Sequence, residues 1–404
     1  MRKKILVISP IPTHPRNAGH RERIYQLLRQ MQMFGHDVHL LHVTLERGGD
    51  SEAMRACWGD RVHLFQHDIA RTPYRCSPSL HGTFAGKLAR RVLYTFGREY
   101  HCPYAIDDWY DPACEDAVAQ LHQWIRFDIV IVEYAFFSKV LTCFDASIVK
   151  IIDTHDIFGN RHKMFQQQGQ TPVWFYTTRR EERRGLRRAD VILAIQEEER
   201  RYFAALLPEK QVVTVGHFAQ LDQLPFKTTE PLTLLFFASS NPINLHGLQA
   251  FLQSCWPMIR EQTSARLLVA GSACQALPDD EAYQKIGMVE AAKDVYKQAD
   301  IVINPILFGT GLKIKNIEAM GYAKALVTTP TGAKGLEDGR QKAFFAAEMP
   351  DEFAQRVIEL LLNHALRHKM NGEAYQYVFA LQQQHSARLA EVLLHKPNIY
   401  RCEH

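Results

Sequence analysis

The stretch IVINPILFGTGLKIKNIEAMGYAKALVT, residues 301–328, has a short apolar run at each end, with a glycine-rich loop and a helical pattern between them. Short continuous apolar runs are typical of buried strands, and the spacing from Ile314 onward predicts a helix. Strand, loop, helix and strand in this order form the repeating unit of a parallel α/β sheet. The stretch therefore predicts such a sheet, with a ligand loop at the end of one strand.

The same pattern recurs along the chain. An apolar run at Lys4–Ser9 precedes a helical pattern at 21–35 and a second run at Asp37–Val43, and another series begins at residue 232. These repeats predict an α/β protein with two Rossmann-like doubly wound parallel-sheet domains that face each other across a cleft. The predicted ranges are an N-terminal domain at 1–220, a C-terminal domain at 221–377, a helix at about 378–404 that packs back on the first domain, and an insertion at 73–112.

Composition limits the class of protein. Of the 404 residues 46% are hydrophobic, which indicates a globular chain, and the net charge of +4 is too small to indicate nucleic-acid binding. None of the eight cysteines forms a CxxC pair, which argues against zinc. The first residues, interrupted by Pro10 and Pro12, do not read as a secretory leader, and no apolar run is long enough to span a bilayer. We therefore expect a cytoplasmic protein.

The loop at 308–313 has the features of an anion site. Gly309 and Gly311 allow the backbone to approach a ligand closely, and the helix that follows presents free N–H groups and a positive dipole end. Lys313 and Lys315 alternate, so we expect one of them to face the ligand. Glu318 is placed to accept both hydroxyls of a ribose. The simpler alternative is a helix N-terminus with a solvated lysine pair.

A second candidate lies in the first half of the chain. His155 follows the apolar run KIID, at the carboxyl end of a predicted strand, where sites of α/β sheets form. Glu133 ends the preceding strand and is expected to line the same site, while Asp156 and Arg161 orient the loop. The alternative is a structural histidine that caps the strand with a hydrogen bond.

The segment ADIVINPILFGTGLKIKNIEAMGYAKALVTTPTGAKGL resembles the donor-site signature of retaining glycosyltransferases of the GT-B fold, family four, in the subgroup with a GxGxKxK loop. The resemblance implies transfer of a sugar from a nucleotide-diphosphate sugar to a hydroxyl acceptor, with retained configuration and without a metal or other cofactor. It makes the second domain the donor domain. The expected acceptor is a glycan, a lipid-linked glycan or a small molecule, in surface polysaccharide or glycoconjugate synthesis.

The resemblance also assigns residues on the donor side. It makes Glu318 the ribose ligand and places Thr310 where the family has a first glutamate. Ser240 and His246 stand near the family's arginine and lysine, so we expect the cationic role to have moved to Lys313. The remaining donor-side positions are Gly309, Gly311 and Leu312 in the loop and Gly287, Met288 and Val289, whose backbone reads the base edge.

On the acceptor side the resemblance implies that Gly19 lets phosphate or acceptor approach the loop after the first strand. Arg16 is predicted as an acceptor-phosphate ligand, with His20 beside it, although a solvated helix start fits these residues equally well. His155 matches a family histidine that contacts the donor sugar near the reacting centre, which makes His155, Lys313 and Glu318 the predicted catalytic residues.

Two charged segments allow a membrane-surface interpretation. Residues 179–190, RREERRGLRRAD, fit a solvated helix face with i,i+4 pairs better than contact with an acidic surface. Residues 87–104 mix basic and aromatic side chains as interfacial helices do, although a core role is favoured. We expect at most a peripheral location at the inner face of the plasma membrane. The acidic run at 107–111 is interpreted as a loop.

Two other functions fit the same architecture. One is a nucleotide-sugar epimerase. The other is a non-catalytic scaffold subunit of a glycan assembly complex, which Ser240, His246 and Thr310, in place of the family's arginine, lysine and glutamate, would favour. A nicotinamide dehydrogenase is disfavoured because GxGxxG is absent after the first strand.

Overall fold

A computed structural model describes residues 2–45, 48–65, 103–167, 169, 172, 174–226, 231–289 and 291–395. The chain divides into two compact units. The first comprises Met1–Pro15, Leu27–Val215 and Arg388–His404, and the second comprises Arg16–Gln26 and Gly216–Ala387. The division after Val215 lies close to the domain boundary expected after residue 220. The grouping of Arg16–Gln26 with the second unit has no counterpart in the sequence prediction.

The first unit contains a seven-stranded parallel sheet in the order β3-β2-β1-β4-β5-β6-β7. The order reverses between β1 and β4, as in the doubly wound folds whose ligands bind outside the carboxyl ends of the strands. Strands β1, β2, β4, β5 and β6 are largely buried, and β4 and β6 are almost continuously apolar, as is typical of parallel strands covered on both faces. The strands are β1 (Lys4–Ser9), β2 (Asp37–Val43), β3 (Val62–Phe65), β4 (Ile129–Glu133), β5 (Val149–Asp153), β6 (Val191–Ala194) and β7 (Gln211–Thr214).

Helices connect these strands. Helix α1 (Gly19–Met33) carries residues of both units, because the division falls after Gln26. The others are α2 (Ser51–Trp58), α3 (Glu115–Ile125), α4 (Arg161–Gln167), α5 (Arg179–Leu186) and α6 (Glu197–Leu206), with 3₁₀ turns at Gly59–Arg61, Pro112–Cys114 and Ala135–Cys143.

The second unit contains a six-stranded parallel sheet in the order β10-β9-β8-β11-β12-β13. Its order reverses between β8 and β11, so the carboxyl ends of these two strands mark the expected ligand position. Leu234, Phe236, Ile301 and Val327 belong to a buried core on this sheet. The strands are β8 (Thr233–Phe237), β9 (Arg266–Ala270), β10 (Gln284–Gly287), β11 (Ile301–Asn304), β12 (Ala325–Thr328) and β13 (Phe345–Ala346).

The helices of this unit are α7 (Pro242–Ala250), α8 (Trp256–Gln262), α9 (Ala292–Tyr296), α10 (Ile314–Gly321), α11 (Asp351–Leu362) and α12 (His364–Leu393), the last continuing into the first unit. The apolar spacing of residues 246–262 predicts a single helix. The structure instead has a π-helical turn at Phe251–Cys255 between α7 and α8. Pro257 stands at the start of α8, and its missing N–H accounts for the break in the regular ladder.

The fold class is confirmed, since both predicted parallel α/β sheets are present. No helix among the described residues is both long and apolar enough to cross a membrane. Most of the insertion expected at 73–112 and most of the basic-aromatic segment at 87–104 lie outside the described residues.

Candidate active site

Buried polar contacts hold the glycine loop at the carboxyl end of β11. The amide of Asn304 donates to Oδ1 of Asn316 at 2.7 Å, and Asn316 donates to the carbonyl of Gly332 at 2.9 Å. Gly309 and Gly311 have φ angles of 131° and 74°, where other residues are strained. The chain can therefore leave β11 and turn sharply into α10.

Lys315 and Glu318 form an ion pair on α10. Nζ of Lys315 lies 2.7 Å from Oε2 of Glu318 and 4.0 Å from the ring centre of Phe237. Because Phe237 is the last residue of β8, the ammonium group is fixed between a carboxylate and an aromatic face at the reversal point of the sheet.

The carboxylate of Glu318 is buried, with 5% of the residue's surface exposed. Burial raises the pKa of its carboxyl, and the charge of Lys315 offsets this only in part. Tyr296 donates to Oε2 at 3.4 Å, whereas Oε1 has no hydrogen-bond partner within the described residues. A buried oxygen in this state is costly, so it calls for a functional explanation.

Lys313 has different partners from Lys315. Its Nζ donates to the carbonyls of Thr310 and Gly311 at 2.7 and 2.9 Å. These bonds stabilise the glycine loop from within. The structure thus brings Lys315 to Glu318 and Lys313 to its own loop; the predicted cationic role of Lys313 stays a prediction.

The segment Arg16–Gln26 adds a second ion pair to the same unit. Nε and Nη2 of Arg16 donate to the two oxygens of Glu22 at 2.7 and 2.6 Å, and the guanidinium lies 4.0 Å from the ring centre of Tyr25. Burial acts to raise the pKa of Glu22, but the hydrogen bonds and charge of Arg16 outweigh it and hold the pKa below its ordinary value. Glu22 is therefore an ionised carboxylate.

The two ion pairs border one cavity of about 510 Å³ in the second unit. Its lining includes Arg16, Glu22, Lys293, Lys315, Glu318 and Tyr322. Sequence reasoning placed Arg16 on the acceptor side and did not consider Glu22. The only signal available was an arginine and a glutamate flanking the start of α1, and nothing in it indicates proximity to residues about 300 positions away.

Gly19 lies against the first residue of α10. A Cβ built on Gly19 would be 3.5 Å from Cδ1 of Ile314, which is an ordinary van der Waals contact. The space around Gly19 therefore does not itself require glycine, and the predicted approach of phosphate or acceptor to this loop stays a prediction. His20, the next residue, is half-buried on α1.

The other predicted donor-side residues differ in their exposure and in their contacts. His246, exposed on α7, packs edge-to-face on Phe308 at 5.5 Å between ring centres. Ser240 is exposed and donates its backbone N–H to Oγ of Ser272 at 2.9 Å. Thr310 is half-buried, whereas Leu312 and Val289 pack on the second core cluster. Gly287 (φ 81°) accepts the N–H of Gly271, and Met288 is 45% exposed.

In the first unit, His155 lies in a buried cluster with two carboxylates. Its Nε2 is 2.5 Å from Oε2 of Glu133 and 3.5 Å from Oδ2 of Asp153. The ring of Tyr134 stacks on the imidazole at 4.0 Å with an angle of 13°. Tyr134 and His155 both have φ in the left-handed region, 73° and 61°. Strained backbone at adjacent strand ends is a feature of functional sites.

These three side chains also form a candidate cation site, since their ligand atoms lie within 4.8 Å of one another. Nε2 of His155 and Oε2 of Glu133 are in hydrogen-bond contact at 2.5 Å, so an ion bound by both would require them to move apart. Two ligands bound at 2.0–2.2 Å around a tetrahedral metal would be separated by about 3.3 Å. The expectation that no metal is needed stays a prediction.

Arginines of helix α5 and of the turn that follows it form ion pairs with other segments of the chain. Arg188 and Arg184 bind Asp107 at 2.6 and 3.2 Å, and Arg187 binds Glu209 at 3.2 Å. Asp107 thus anchors a helix face. These long-range pairs differ from the i,i+4 pairs expected within a solvated helix face, although Arg184 also pairs with Glu181 three residues earlier. Contact with a membrane surface stays a prediction.

Two family models match the chain. One, described as Glycosyl transferases group 1, matches residues 231–363, and the other, Glycosyl transferase 4-like domain, matches residues 18–217. A curated relative from Klebsiella pneumoniae, described as an uncharacterized 44.6 kDa protein in the cps region, is 27% identical over 150 residues. That match covers 34% of this chain and 39% of the relative.

Solved structures are similar over nearly the whole chain. The pneumococcal O-GlcNAc transferase GtfA, in complex with UDP and GlcNAc, has a TM-score of 0.65 at 9% identity and covers 98% of this chain and all of its own (100%). Sucrose-phosphate synthase from Thermosynechococcus elongatus has a TM-score of 0.64 at 13% identity, over 97% of this chain and 98% of its own. Anabaena HepE, in complex with UDP and glucose, has a TM-score of 0.59 at 14% identity, over 97% and 99%.

The fold resembles these structures, and the two family models together span most of the sequence. The predicted resemblance to family four is confirmed. The chain belongs to the glycosyltransferases of the GT-B fold and is a glycosyltransferase.

Proposed function

We propose that this glycosyltransferase uses a nucleotide-diphosphate sugar as donor and transfers the sugar to a hydroxyl acceptor with retention of configuration. The observation that carries the proposal is Oε1 of Glu318, which is buried beside the cavity and has no hydrogen-bond partner within the described residues. A ribose diol supplies two O–H donors, so it satisfies Oε1 and shares Oε2 with Lys315.

The charges of the same region suit a diphosphate. Negative charge develops on the leaving diphosphate as the bond between the sugar carbon and the phosphate oxygen breaks. The N-terminus of α10 and the ammonium of Lys315 lie at the reversal point of the sheet, and both favour that charge before the step occurs. The acceptor oxygen then bonds to the same face of the sugar, and its proton passes to the leaving phosphate oxygen.

His155 is proposed to contact the donor sugar, as the family resemblance implies. Its bond to Glu133 and its stacking on Tyr134 fix the ring orientation. A ring held in this way loses little freedom when it binds a sugar hydroxyl, which favours transition-state contacts.

The acceptor is proposed to belong to surface polysaccharide or glycoconjugate synthesis. The Klebsiella relative is described as a protein of a cps region, and HepE and GtfA are described in complex with UDP and a sugar. These descriptions make UDP-sugars the first donors to test.

Calorimetry with UDP, GDP, ADP and dTDP tests the donor. One diphosphate is expected to bind, and Glu318→Ala is expected to weaken its binding by about tenfold or more. Glu359→Ala, on the exposed surface of α11, is the matched control. Wild-type protein that binds none of the four would contradict the donor proposal, and unchanged binding by Glu318→Ala would remove Glu318 from the site.

Product stereochemistry tests retention. The wild-type enzyme is incubated with the UDP-, GDP-, ADP- or dTDP-sugar matching the bound nucleotide and with a panel of free sugars and sugar glycosides as hydroxyl acceptors. The anomeric coupling constant of the glycosylated product is read by NMR. Inversion would contradict the proposed same-face attack. Conversion of the donor into its epimer without transfer would contradict glycosyl transfer to an acceptor as well.

A further inference from the structure

Two positions that carry cations in related donor sites are neutral or displaced in this chain. Ser240 has no charge, and its backbone is bound to Ser272. The exposed imidazole of His246 packs on Phe308. Lys313, the replacement expected from the sequence, donates to two carbonyls of its own loop. A diphosphate in this unit therefore needs other cations.

The cavity supplies two cations held in the same way. Arg16 lies between the carboxylate of Glu22 and the ring of Tyr25, and Lys315 lies between the carboxylate of Glu318 and the ring of Phe237. In both cases the distance from the cation to the ring centre is 4.0 Å. Each charge is thus fixed on two sides.

Both cations keep donors for a further acceptor. Arg16 uses Nε and Nη2 on Glu22, and within the described residues Nη1 makes no hydrogen bond. Lys315 uses one of its three N–H donors on Glu318. Their side chains are 32% and 23% exposed, so they are accessible from the cavity while partly shielded from water. Partial shielding strengthens their attraction for an anion.

We propose that Arg16 and Lys315 together bind the diphosphate of the donor, in place of the arginine and lysine whose positions Ser240 and His246 occupy. This inference rests on the proposed nucleotide-diphosphate donor. Glu22 acts as a positioning residue, because it holds the guanidinium by two hydrogen bonds and stays ionised beside it. Arg16 is thereby assigned to the donor and not to an acceptor phosphate.

The test compares diphosphates with nucleosides. Binding of UDP, GDP, ADP and dTDP, and of uridine, guanosine, adenosine and thymidine, is measured by calorimetry for wild type, Arg16→Gln and Lys315→Met. Each variant is expected to lose about tenfold or more in affinity for the bound diphosphate, while affinity for its nucleoside changes by less than about threefold. Arg29→Gln, exposed on α1, and Lys342→Met, exposed in the second unit, serve as controls.

The outcomes separate this inference from the donor proposal. Wild type that binds no diphosphate overturns both. Wild type that binds one, with both variants binding it equally well, overturns only the assignment of Arg16 and Lys315. If a variant loses equal affinity for the diphosphate and for the nucleoside, the residue shapes the cavity and does not bind the diphosphate. This result also overturns the assignment. If a variant unfolds, it is replaced by Arg16→Lys or Lys315→Arg, which keeps the charge. Each of these is expected to bind the diphosphate more tightly than the nucleoside, as wild type does.

Discussion

Nε2 of His155 and Oε2 of Glu133 lie 2.5 Å apart at the carboxyl ends of neighbouring strands β5 and β4. Neither side chain is more than 6% exposed, and Asp153 stands 3.5 Å from the same nitrogen. The two carboxylates hold one nitrogen of the imidazole and Tyr134 stacks on its face, so the ring has a fixed orientation.

We expect His155→Ala to lower the turnover number about 100-fold or more while nucleotide affinity stays within a few-fold of wild type, because the lost contact is made to the reacting sugar. Turnover is measured by release of the nucleoside diphosphate that binds wild type, and the melting temperature is recorded alongside. A collapsed melting temperature with normal turnover per folded molecule would show that His155 is structural.

The same cluster allows a test of metal dependence. Because the 2.5 Å contact is too short for two ligands of one metal ion, we expect full activity after prolonged treatment with EDTA and dialysis. Added Zn²⁺ or Mn²⁺ is expected to leave the rate unchanged. Loss of activity that a single metal restores would assign Glu133, Asp153 and His155 to a cation site.

The glycines near α10 are expected to differ in their tolerance of alanine. Gly311 has a φ of 74°, so Gly311→Ala strains the loop and should weaken diphosphate binding by about five- to tenfold. Gly19→Ala adds a methyl at 3.5 Å from Ile314 and should bind as wild type does. Calorimetry on both variants checks this prediction. If Gly19→Ala weakened diphosphate binding more than Gly311→Ala, the nucleotide would have to approach the backbone at Gly19.

The long apolar strands could be predicted because parallel strands covered on both faces read as continuous apolar runs. Strands β3, β7, β10 and β13, outside the predicted set, are the edge strands of the two sheets. The first three mix polar with apolar residues and β13 has only two residues, so no continuous apolar run marks them. Alternation of Lys313 and Lys315 predicted that one of them would face the ligand, but the ion pair between Lys315 and Glu318 is visible only in the folded structure. The neighbours of Arg16 depend on tertiary packing that no local pattern encodes.

The buried carboxyl of Glu182 leads us to expect that stability depends on pH. It is fully buried in α5 and accepts hydrogen bonds from the backbone of Phe158 and the hydroxyl of Tyr202 at 2.7 and 2.8 Å. Burial raises the pKa of its carboxyl from 4.5 to about 7. The folded state therefore binds more protons than the unfolded state between these values, and stability is lost as the pH rises from about 4.5 to 7.

We expect Glu182→Gln to remove this loss, which is on the order of 1–3 kcal/mol in wild type. Glutamine keeps an acceptor for Phe158 but cannot ionise. Melting temperatures from pH 5 to 7.5 should fall more steeply for wild type than for the variant. Glu198→Gln, at an exposed position of α6, is the control and should follow wild type. Parallel curves for wild type and Glu182→Gln would contradict the prediction.

His217 predicts the opposite trend in the second unit. Its ring is 1% exposed, neither nitrogen has a hydrogen-bond partner within the described residues, and burial lowers its pKa from 6.5 to about 3. Between these pH values the imidazole binds a proton in the unfolded state but not in the folded state. Stability is therefore lost as the pH falls from about 6.5 towards 3.

At pH 5 this loss amounts to about 1–2 kcal/mol, and His217→Leu should abolish it. The melting temperature of the variant should therefore rise relative to that of wild type as the pH falls from 7.5 to 5. His368→Leu, at an exposed site on α12, controls for removal of an imidazole. Because Glu182 and His217 lie in different units, calorimetric scans that resolve two transitions should show one moving up and the other down with pH. Two transitions that move together would mean that other groups dominate the pH response.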